Sequence, residues 1–198
     1  MRETIWIRNS AAILAVAAAG LRLAFNYLKL FNFGLVGGVG LFGGSRLKSW
    51  QAFVIPLGLM IGTDLVLALA HGSSDYGLLH PSRPWVYGSY LVYVLIGRYL
   101  IGESRNPAII GGAAVLGSVQ FFLITNFGAW LEPILGYSQD PAGLLNCYLM
   151  GLPFFGNTLV GDLVSTGALF ALYEFVRGDE LPSLSNRAAR KLDTVSDR

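Results

Sequence analysis

The chain has 198 residues, of which 54% are apolar and only 13% are charged, and its mean hydropathy is +0.55. So few charged residues cannot cover a soluble globule of this size, and the composition therefore predicts a membrane protein. The net charge of +2 is too small to indicate nucleic-acid binding, and the single cysteine, Cys147, excludes an intrachain disulfide and a cysteine-based zinc site.

Hydropathy divides the chain into six apolar stretches separated by segments that carry Arg, Lys, Pro or Ser. A hydrocarbon core about 30 Å thick needs roughly 20 helical residues per crossing, which leaves room for about six or seven spans. The predicted spans lie at about 10–28, 31–44, 52–70, 85–101, 108–131 and 157–177. The sequence thus predicts an all-α, polytopic membrane helix bundle with six transmembrane helices, in a single domain over residues 1–177.

Three segments need separate interpretation. The span at 31–44 is short and rich in glycine, which favours either a helix packed closely on its neighbours or a partly irregular segment buried in protein. The segment 142–155 is about 14 residues long and contains Pro153, so we expect it to be re-entrant or interfacial. Residues 178–198 are polar with mixed charges and are predicted to form a solvated cytoplasmic tail.

Basic residues predict the orientation, because Lys and Arg accumulate in short cytoplasmic loops. With six spans and the N-terminus inside, 11 of the 14 basic residues lie on the cytoplasmic side. A seventh span at 142–155 would export the basic tail, so six spans are preferred. We therefore expect a multi-pass protein of the bacterial inner membrane with both termini in the cytoplasm.

The N-terminus has a second interpretation. Arg2 and Arg8 precede an alanine-rich apolar run with an Ala-x-Ala pattern, as in a signal peptide. The run continues to Leu28, which is longer than the apolar region of a typical signal peptide and favours a first transmembrane span.

The polar residues of the predicted spans that are candidates for a site all fall in the outer half of the bundle at this orientation. A charge in hydrocarbon costs at least about 2.5 kcal/mol, so such residues normally face the bundle interior and pair or line a cavity. An outward-facing ligand pocket would explain why these polar residues lie in one half of the bundle. In the alternative, Arg22 only pairs with Asp64 or Asp162, and the amides only bond helix to helix.

The predicted outer loop 71–84 contains His80 and Arg83 between Gly and Pro residues and is expected to cover the pocket. Aromatic side chains from the following span and from the end of the fifth span supply apolar surface. The predicted ligand-binding residues are Arg22, Asn32, Asp64, His80, Arg83, Tyr87, Asn126, Trp130, Asn157 and Asp162.

Enzyme motifs are missing from the sequence. It contains no GxSxG, HExxH or P-loop GxxxxGK[ST] pattern, and its two histidines share one loop. We therefore expect no enzymatic activity, and any transport would draw its energy from a partner or from a gradient.

Four stretches resemble one family. They are NFGLVGGVGLFGG at 32–44, Thr-Asp at 63–64, FFLITNFGAW at 121–130 and CYLMGLPFFGNTLVGDLVSTGALF at 147–170. They resemble DUF6580, a bacterial membrane family of unknown function, over most of residues 20–175. The family in turn resembles the substrate-binding S components of energy-coupling factor transporters.

The S-component resemblance implies six helices, a vitamin or metal ion bound under outer loops, and a small-residue Ala-x-x-x-Ala pattern on the first helix. That pattern docks an energising module, made of a membrane coupling subunit and ATPases. Here Ala11, Ala15 and Ala19 share one helix face at four-residue spacing. An alanine-rich helix packed inside its own bundle is the alternative.

Among S components, the chain most resembles the solitary vitamin B12 type. The resemblance implies cobalamin as a transported ligand rather than a prosthetic group, with His80 as a metal ligand axial to the corrinoid cobalt. A histidine nitrogen is a reasonable ligand for cobalt.

Three hypotheses follow. The first is a substrate-binding uptake protein that works alone or with an energising module. The second is a structural or assembly membrane protein whose polar groups only hold helices together. The third is a proton-coupled small-solute carrier that uses Asp64 and Asp162, for which internal inverted repeats would be expected and none is evident.

Overall fold

The structure is a computed structural model that describes residues 16–24, 26–28, 35–47, 50–72 and 80–176. Within these ranges every regular element is a helix, and turns or irregular segments connect the helices. The predictions for Ala11, Ala15, Asn32 and the tail at 178–198 fall outside the described residues. The elements are α1 (16–24 and 26–27), α2 (Val36–Arg46), α3 (Gln51–His71), α4 (Arg83–Ile96), a π-helical turn (Gly97–Ile101), α5 (Pro107–Trp130), a 3-10 turn (Pro133–Leu135) and α6 (Pro141–Val176).

Among the described residues, three helices are long and apolar enough to cross a bilayer. They are Gln51–His71, Pro107–Trp130 and, within α6, Pro141–Phe175, with mean hydropathies of 2.1, 1.9 and 1.2. In lipid, a backbone must satisfy its hydrogen bonds within the segment, which a helix does. These three helices support the prediction of a membrane protein.

Helices that follow one another along the chain from α2 to α6 run in opposite directions, which gives the bundle two ends. At one end, Arg46 at the end of α2 donates to the carbonyl oxygens of Gly102 and Ser104, which follow the π-helical turn, the latter at 2.8 Å. Arg105, just before α5, lies 3.4 Å from Glu174 near the end of α6. We call this the Arg46 end.

The opposite end joins the end of α3 to the start of α4 and the end of α5 to the start of α6. His80 lies there, with its Nε2 3.5 Å from Oε1 of Glu132. We call this the His80 end.

Helix α2 lies in the centre of the bundle, and all its residues from 36 to 44 are buried. A Cβ on Gly44 would overlap the carbonyl oxygen of Val94, and one on Gly97 would overlap that of Leu41. Glycine at these two positions therefore lets the backbones of α2 and of α4 with its π-helical turn touch. The described part of the glycine-rich segment, 36–44, thus forms a helix at small-residue contacts, and residues 31–34 lie outside the described residues. Its 11 residues rise about 16 Å, less than a bilayer core.

Helix α6 differs from the sequence expectation. We expected 142–155 to be separate from the span at 157–177, but one helix runs from Pro141 to Val176 with Pro153 inside it. Proline removes one backbone hydrogen bond, and contacts in a membrane bundle can compensate for that loss. The helix start is well defined, because Oδ1 of Asp140 accepts a hydrogen bond from the Gly143 amide at 2.7 Å and proline suits the first helical position.

Candidate functional site

The first buried carboxylate belongs to Asp64, on α3, whose side chain is 0% exposed. Nη2 of Arg22, on α1, donates to Oδ1 at 2.7 Å, and the hydroxyl of Tyr87, on α4, donates to Oδ2 at 2.7 Å. Nη1 of Arg83 lies 3.4 Å from Oδ2. Arg22 also donates to the hydroxyl of Thr63. We call Arg22, Thr63, Asp64, Arg83 and Tyr87 the Asp64 cluster.

The Asp64 cluster joins three helices and can be reached from the surface. A carboxylate in a low-dielectric interior needs countercharge, and Asp64 meets two guanidinium groups. The side chains of Arg22 and Arg83 are 20% and 12% exposed, so their charged ends lie at the boundary of the bundle. Of the two partners considered for Arg22, the structure selects Asp64.

The second buried carboxylate belongs to Asp162, on α6, which is 2% exposed. Its Oδ2 accepts hydrogen bonds from the hydroxyl of Tyr93, on α4, and from that of Ser118, on α5, the latter at 2.7 Å. A Cβ on Gly37 would overlap both Asp162 Oδ1 and the Tyr93 ring. We call Gly37, Tyr93, Ser118 and Asp162 the Asp162 cluster. Among the described residues, no ion pair includes Asp162.

The depth of Asp162 is a correction to the sequence prediction. We expected Asp162 near the beginning of a span that starts at 157. Because α6 already begins at Pro141, Asp162 lies well inside the helix, beside Ser118, which is halfway along α5. Asp162 is therefore close to the middle of the bundle rather than near its outer end.

A row of tyrosines on α4 runs from one cluster to the other. Tyr87, Tyr90 and Tyr93 recur every three residues, so they follow one side of the helix. The Tyr90 and Tyr93 rings stack with centroids 5.8 Å apart. Six residues of helix separate the Tyr87 hydroxyl bond to Asp64 from the Tyr93 hydroxyl bond to Asp162, a rise of about 9 Å.

His80 has partners at both ring nitrogens. Nδ1 lies 2.8 Å from the Ser82 hydroxyl, and Nε2 lies 3.5 Å from Oε1 of Glu132, which is 5% exposed. Coordination of a cobalt ion by Nε2 would require that nitrogen to leave Glu132. Within the part of the chain that the structure describes, no group of three or more His, Cys, Asp or Glu side chains could hold a metal ion.

Two other predicted residues, Asn126 and Trp130, have their described partners outside both clusters, and a third, Asn157, is exposed. Asn126 donates from Nδ2 to the carbonyl of Phe122 at 2.8 Å, and its amide leaves no room for a Cβ on Gly151 of α6. Nε1 of Trp130 donates to the carbonyl of Ser138 at 2.8 Å. Asn157 lies on the exposed side of α6.

The structure thus brings together four of the predicted ligand-binding residues, Arg22, Asp64, Arg83 and Tyr87, while Asp162 forms a separate cluster. Thr63, Ser118 and Gly37 were not in the predicted set. Thr63 directly precedes Asp64 in the sequence, and that position beside a candidate residue was the signal that could have identified it. A single serine within an apolar helix, such as Ser118, carries no distinguishing pattern.

The fold and the two buried carboxylates define a helical membrane protein with ionisable groups inside its bundle. DUF6580, a family of unknown function, matches residues 3–184, and the chain belongs to this family. No curated protein and no solved structure matches the chain. The S-component resemblance and the vitamin B12 type therefore stay predictions.

Proposed function

We propose that this chain is a multi-pass small-molecule uptake protein of the bacterial inner membrane that binds its substrate at the Asp64 cluster. One observation carries the proposal: side chains from three helices meet at a fully buried carboxylate near one end of the bundle, and two of them are partly exposed arginines. Ionisable groups inside a membrane bundle are costly and commonly mark substrate pathways.

Arg22 is the group best suited to contact a substrate. A guanidinium has five N–H donors, and Arg22 makes two hydrogen bonds, to Thr63 and Asp64. Its side chain is 20% exposed, so further donors can reach a ligand. The substrate class that fits is a small molecule with carboxylate, amide or phosphate oxygens as acceptors.

The distribution of basic residues supports an outward orientation of the Asp64 cluster. Arg46, Arg98 and Arg105 lie together at the Arg46 end. Since basic residues accumulate on the cytoplasmic side, the Arg46 end would face the cytoplasm and the His80 end would face outward. Six spans with both termini inside remain part of this proposal.

A vitamin-type ligand is the proposed substrate, and cobalamin is the first compound to test. Ala11, Ala15 and Ala19 would dock an energising module of an energy-coupling factor transporter. Ala19 is half-buried in the described part of α1. A docking defect would abolish uptake and leave substrate affinity unchanged.

The test is the mass and absorbance spectrum of small molecules that copurify with the full chain in detergent. We expect a bound compound that is retained by wild type and lost from Arg22→Lys and Tyr87→Phe. Tyr99→Phe, at a side chain 80% exposed, is the matched control and should retain the compound. Equal retention by Tyr87→Phe and Tyr99→Phe would rule out the Asp64 cluster as the binding site.

Added cobalamin gives a direct second measurement, because corrinoids absorb visible light. We expect a spectral change on titration into wild type that disappears in His80→Ala. Binding that survives in His80→Ala would rule out axial ligation by His80, and no binding at all would exclude cobalamin as the substrate.

A proton-coupled carrier is the second candidate, favoured by the Asp162 cluster. Asp162 is held by two hydroxyl groups, which can bond either a charged or a protonated carboxyl group, and a tyrosine row extends from it toward Asp64. In right-side-out vesicles, an uncoupler should stop uptake of the copurified compound. Asp162→Asn should remove the proton-driven component, and Asp140→Asn, at an exposed residue outside the long helices, should not. Uptake at an unchanged rate in the presence of the uncoupler would contradict the proton-coupled carrier.

A further inference from the structure

A groove between α5 and α6 at the Arg46 end is separate from both aspartate clusters. It encloses a cavity of about 250 Å³. Gly111 and Ala114 line it from α5, and Thr166 and Gly167 line it from α6, so small side chains face the space from both helices. Arg105 and Glu174 lie at its rim.

The groove is not closed by the packing of the described chain. A Cβ added to Gly111 or to Gly167 would meet no atom within 4 Å. At Gly37 and Gly97, by contrast, an added Cβ would overlap neighbouring atoms. The two groove glycines therefore leave space that the described part of the chain does not fill.

Two polar atoms in the groove lack hydrogen-bond partners. Thr166 is 1% exposed, and its Oγ1 is buried without a partner; Oε1 of Glu174 is in the same condition. Among the described residues, these are the buried side-chain nitrogen and oxygen atoms left unpartnered, and both line this groove. Buried polar groups normally have partners, so both atoms point to a ligand that supplies them.

The required ligand has four chemical features. Glu174 Oε1 needs a donor, preferably cationic, while Oε2 of the same carboxylate lies 3.4 Å from Nη1 of Arg105. Arg105 is half-exposed and favours an anionic oxygen next to that cation. Thr166 needs a polar atom deeper in the groove, about 12 Å along the helix from Glu174. The small residues between Thr166 and Glu174 leave room for a linker, and Leu163, one turn deeper, offers an apolar surface for a chain beyond Thr166.

We propose that this groove binds a zwitterionic phospholipid whose head group carries a primary ammonium. The ammonium donates to Glu174 Oε1, the phosphate accepts from Arg105, and an ester carbonyl accepts from the Thr166 hydroxyl. The glycerophosphate linker lies along Gly111 and Gly167, and the acyl chain continues past Thr166 and Ala114 toward Leu163. Helix side chains lean toward the N-terminus, which brings the Glu174 carboxylate toward Thr166 and shortens the distance the lipid must span.

The head-group chemistry makes the proposal specific. A trimethylated ammonium has no N–H to donate to Glu174, and an anionic lipid without an amine brings no cation to it. Phosphatidylethanolamine and phosphatidylcholine differ only in those methyl groups, so they form a matched pair of probes.

The experiment is native mass spectrometry of the full purified chain after exchange into mixed micelles with equal amounts of the two lipids. We expect wild type to retain phosphatidylethanolamine about tenfold more than phosphatidylcholine, because the charge-assisted hydrogen bond is made by only one of them. Glu174→Gln should remove that preference. Glu103→Gln, at an exposed position at the same end of the bundle, should keep it.

Two further variants test the groove itself. Gly167→Leu should abolish retention of both lipids, whereas Gly62→Leu, at an exposed glycine with open space on α3, should not. Thr166→Val keeps the shape of the side chain and should weaken retention without unfolding the protein. Since the groove is remote from the Asp64 cluster, these changes should leave ligand binding there unaltered.

Three results would overturn the proposal. The first is equal retention of the two lipids by wild type. The second is lipid retention that Gly167→Leu and Thr166→Val leave unchanged. The third is a complex of two chains that Gly167→Leu dissociates without affecting lipid, which would assign the groove to a transmembrane helix instead.

Discussion

The two buried aspartates, Asp64 and Asp162, bond to tyrosines on the same helix, α4, yet their other partners differ in charge. Asp64 lies toward the His80 end and meets two guanidinium groups. Asp162 lies near the middle of the bundle and meets only hydroxyl donors among its described hydrogen bonds. Both side chains are buried to almost the same degree.

The difference follows from position in the bundle. Arginine can neutralise a buried carboxylate where its own charged end reaches the boundary, as Arg22 and Arg83 do. In the middle of an apolar bundle a further charge would itself need solvation, and neutral hydroxyl groups are the less costly partners. The interactions of Asp64 therefore depend on its negative charge, whereas those of Asp162 depend only on an oxygen that accepts hydrogen bonds.

The largest expected effect is at Asp64. Asp64→Ala and Asp64→Asn should both lower the free energy of unfolding by about 3 kcal/mol, because either change leaves two arginines without their carboxylate. The partial exposure of both arginines keeps the loss at the low end of the range for buried pairs. Denaturant titration of purified protein in micelles measures it, with Glu103→Gln as an exposed control. A loss of less than 1 kcal/mol would show that charge is not what Asp64 supplies.

At Asp162, alanine and asparagine should behave differently from each other. Asp162→Ala should cost about 2 kcal/mol, because the Tyr93 and Ser118 hydroxyls lose their acceptor. Asp162→Asn keeps an acceptor oxygen and should cost less than about 1 kcal/mol. The same titration measures both. Equal losses of unfolding free energy for Asp162→Ala and Asp162→Asn would show that Asp162, like Asp64, depends on its charge.

The tyrosines allow a finer comparison. Tyr87→Phe and Tyr93→Phe should each cost about 1 kcal/mol, since each removes one hydroxyl donor. In double-mutant cycles, Tyr93→Phe and Ser118→Ala should couple by about 0.5 kcal/mol or more, because both hydroxyls donate to Oδ2 of Asp162. Tyr87→Phe and Ser118→Ala should be additive. Coupling in the second pair would indicate that the two clusters act as one network.

The smallest effect is expected at Asp140, an exposed aspartate that serves as the reference for the two buried ones. The Gly143 amide and the Ser138 hydroxyl bond its carboxylate and lower its pKa below the ordinary 3.8. A lowered pKa contributes stability that is present above pH 4 and is lost as the pH falls through the native pKa. Asp140→Ala should therefore be slightly less stable than wild type at neutral pH, and the difference should shrink in acid. A difference that grows in acid would contradict the assigned bond.

Much of the helical framework was predictable. Hydropathy predicted spans at 52–70 and 108–131, and the helices run from Gln51 to His71 and from Pro107 to Trp130. A long apolar run in lipid has few alternatives to a helix, so hydropathy predicts such helices well. The expected break near Pro153 was wrong because a proline's local cost depends on neighbouring contacts that the sequence does not display.

The candidate site was predictable only in part. The pairing of Arg22 with Asp64 was one of two alternatives, since an intramembrane arginine requires an acid and Asp64 and Asp162 were the two acids considered for it. The hydroxyls of Thr63 and Ser118 were missed because serine and threonine occur in many apolar helices without any role in a site. Asn126 and Trp130 were expected at the same pocket as Asp64, but their described hydrogen bonds go to backbone carbonyls of Phe122 and Ser138, outside the Asp64 cluster.

The sequence by itself determined that this protein is helical, apolar and provided with a few costly charges. Helical hydrogen bonds join residues four apart, so composition and hydropathy are sufficient to predict them. Only the tertiary structure decided which groups neutralise those charges. Arg22 and Asp64 are 42 residues apart, and Ser118 and Asp162 are 44 apart, so both contacts depend on how whole helices pack. Tertiary packing therefore gave Asp64 charged partners toward one end of the bundle and gave Asp162 neutral partners near its middle.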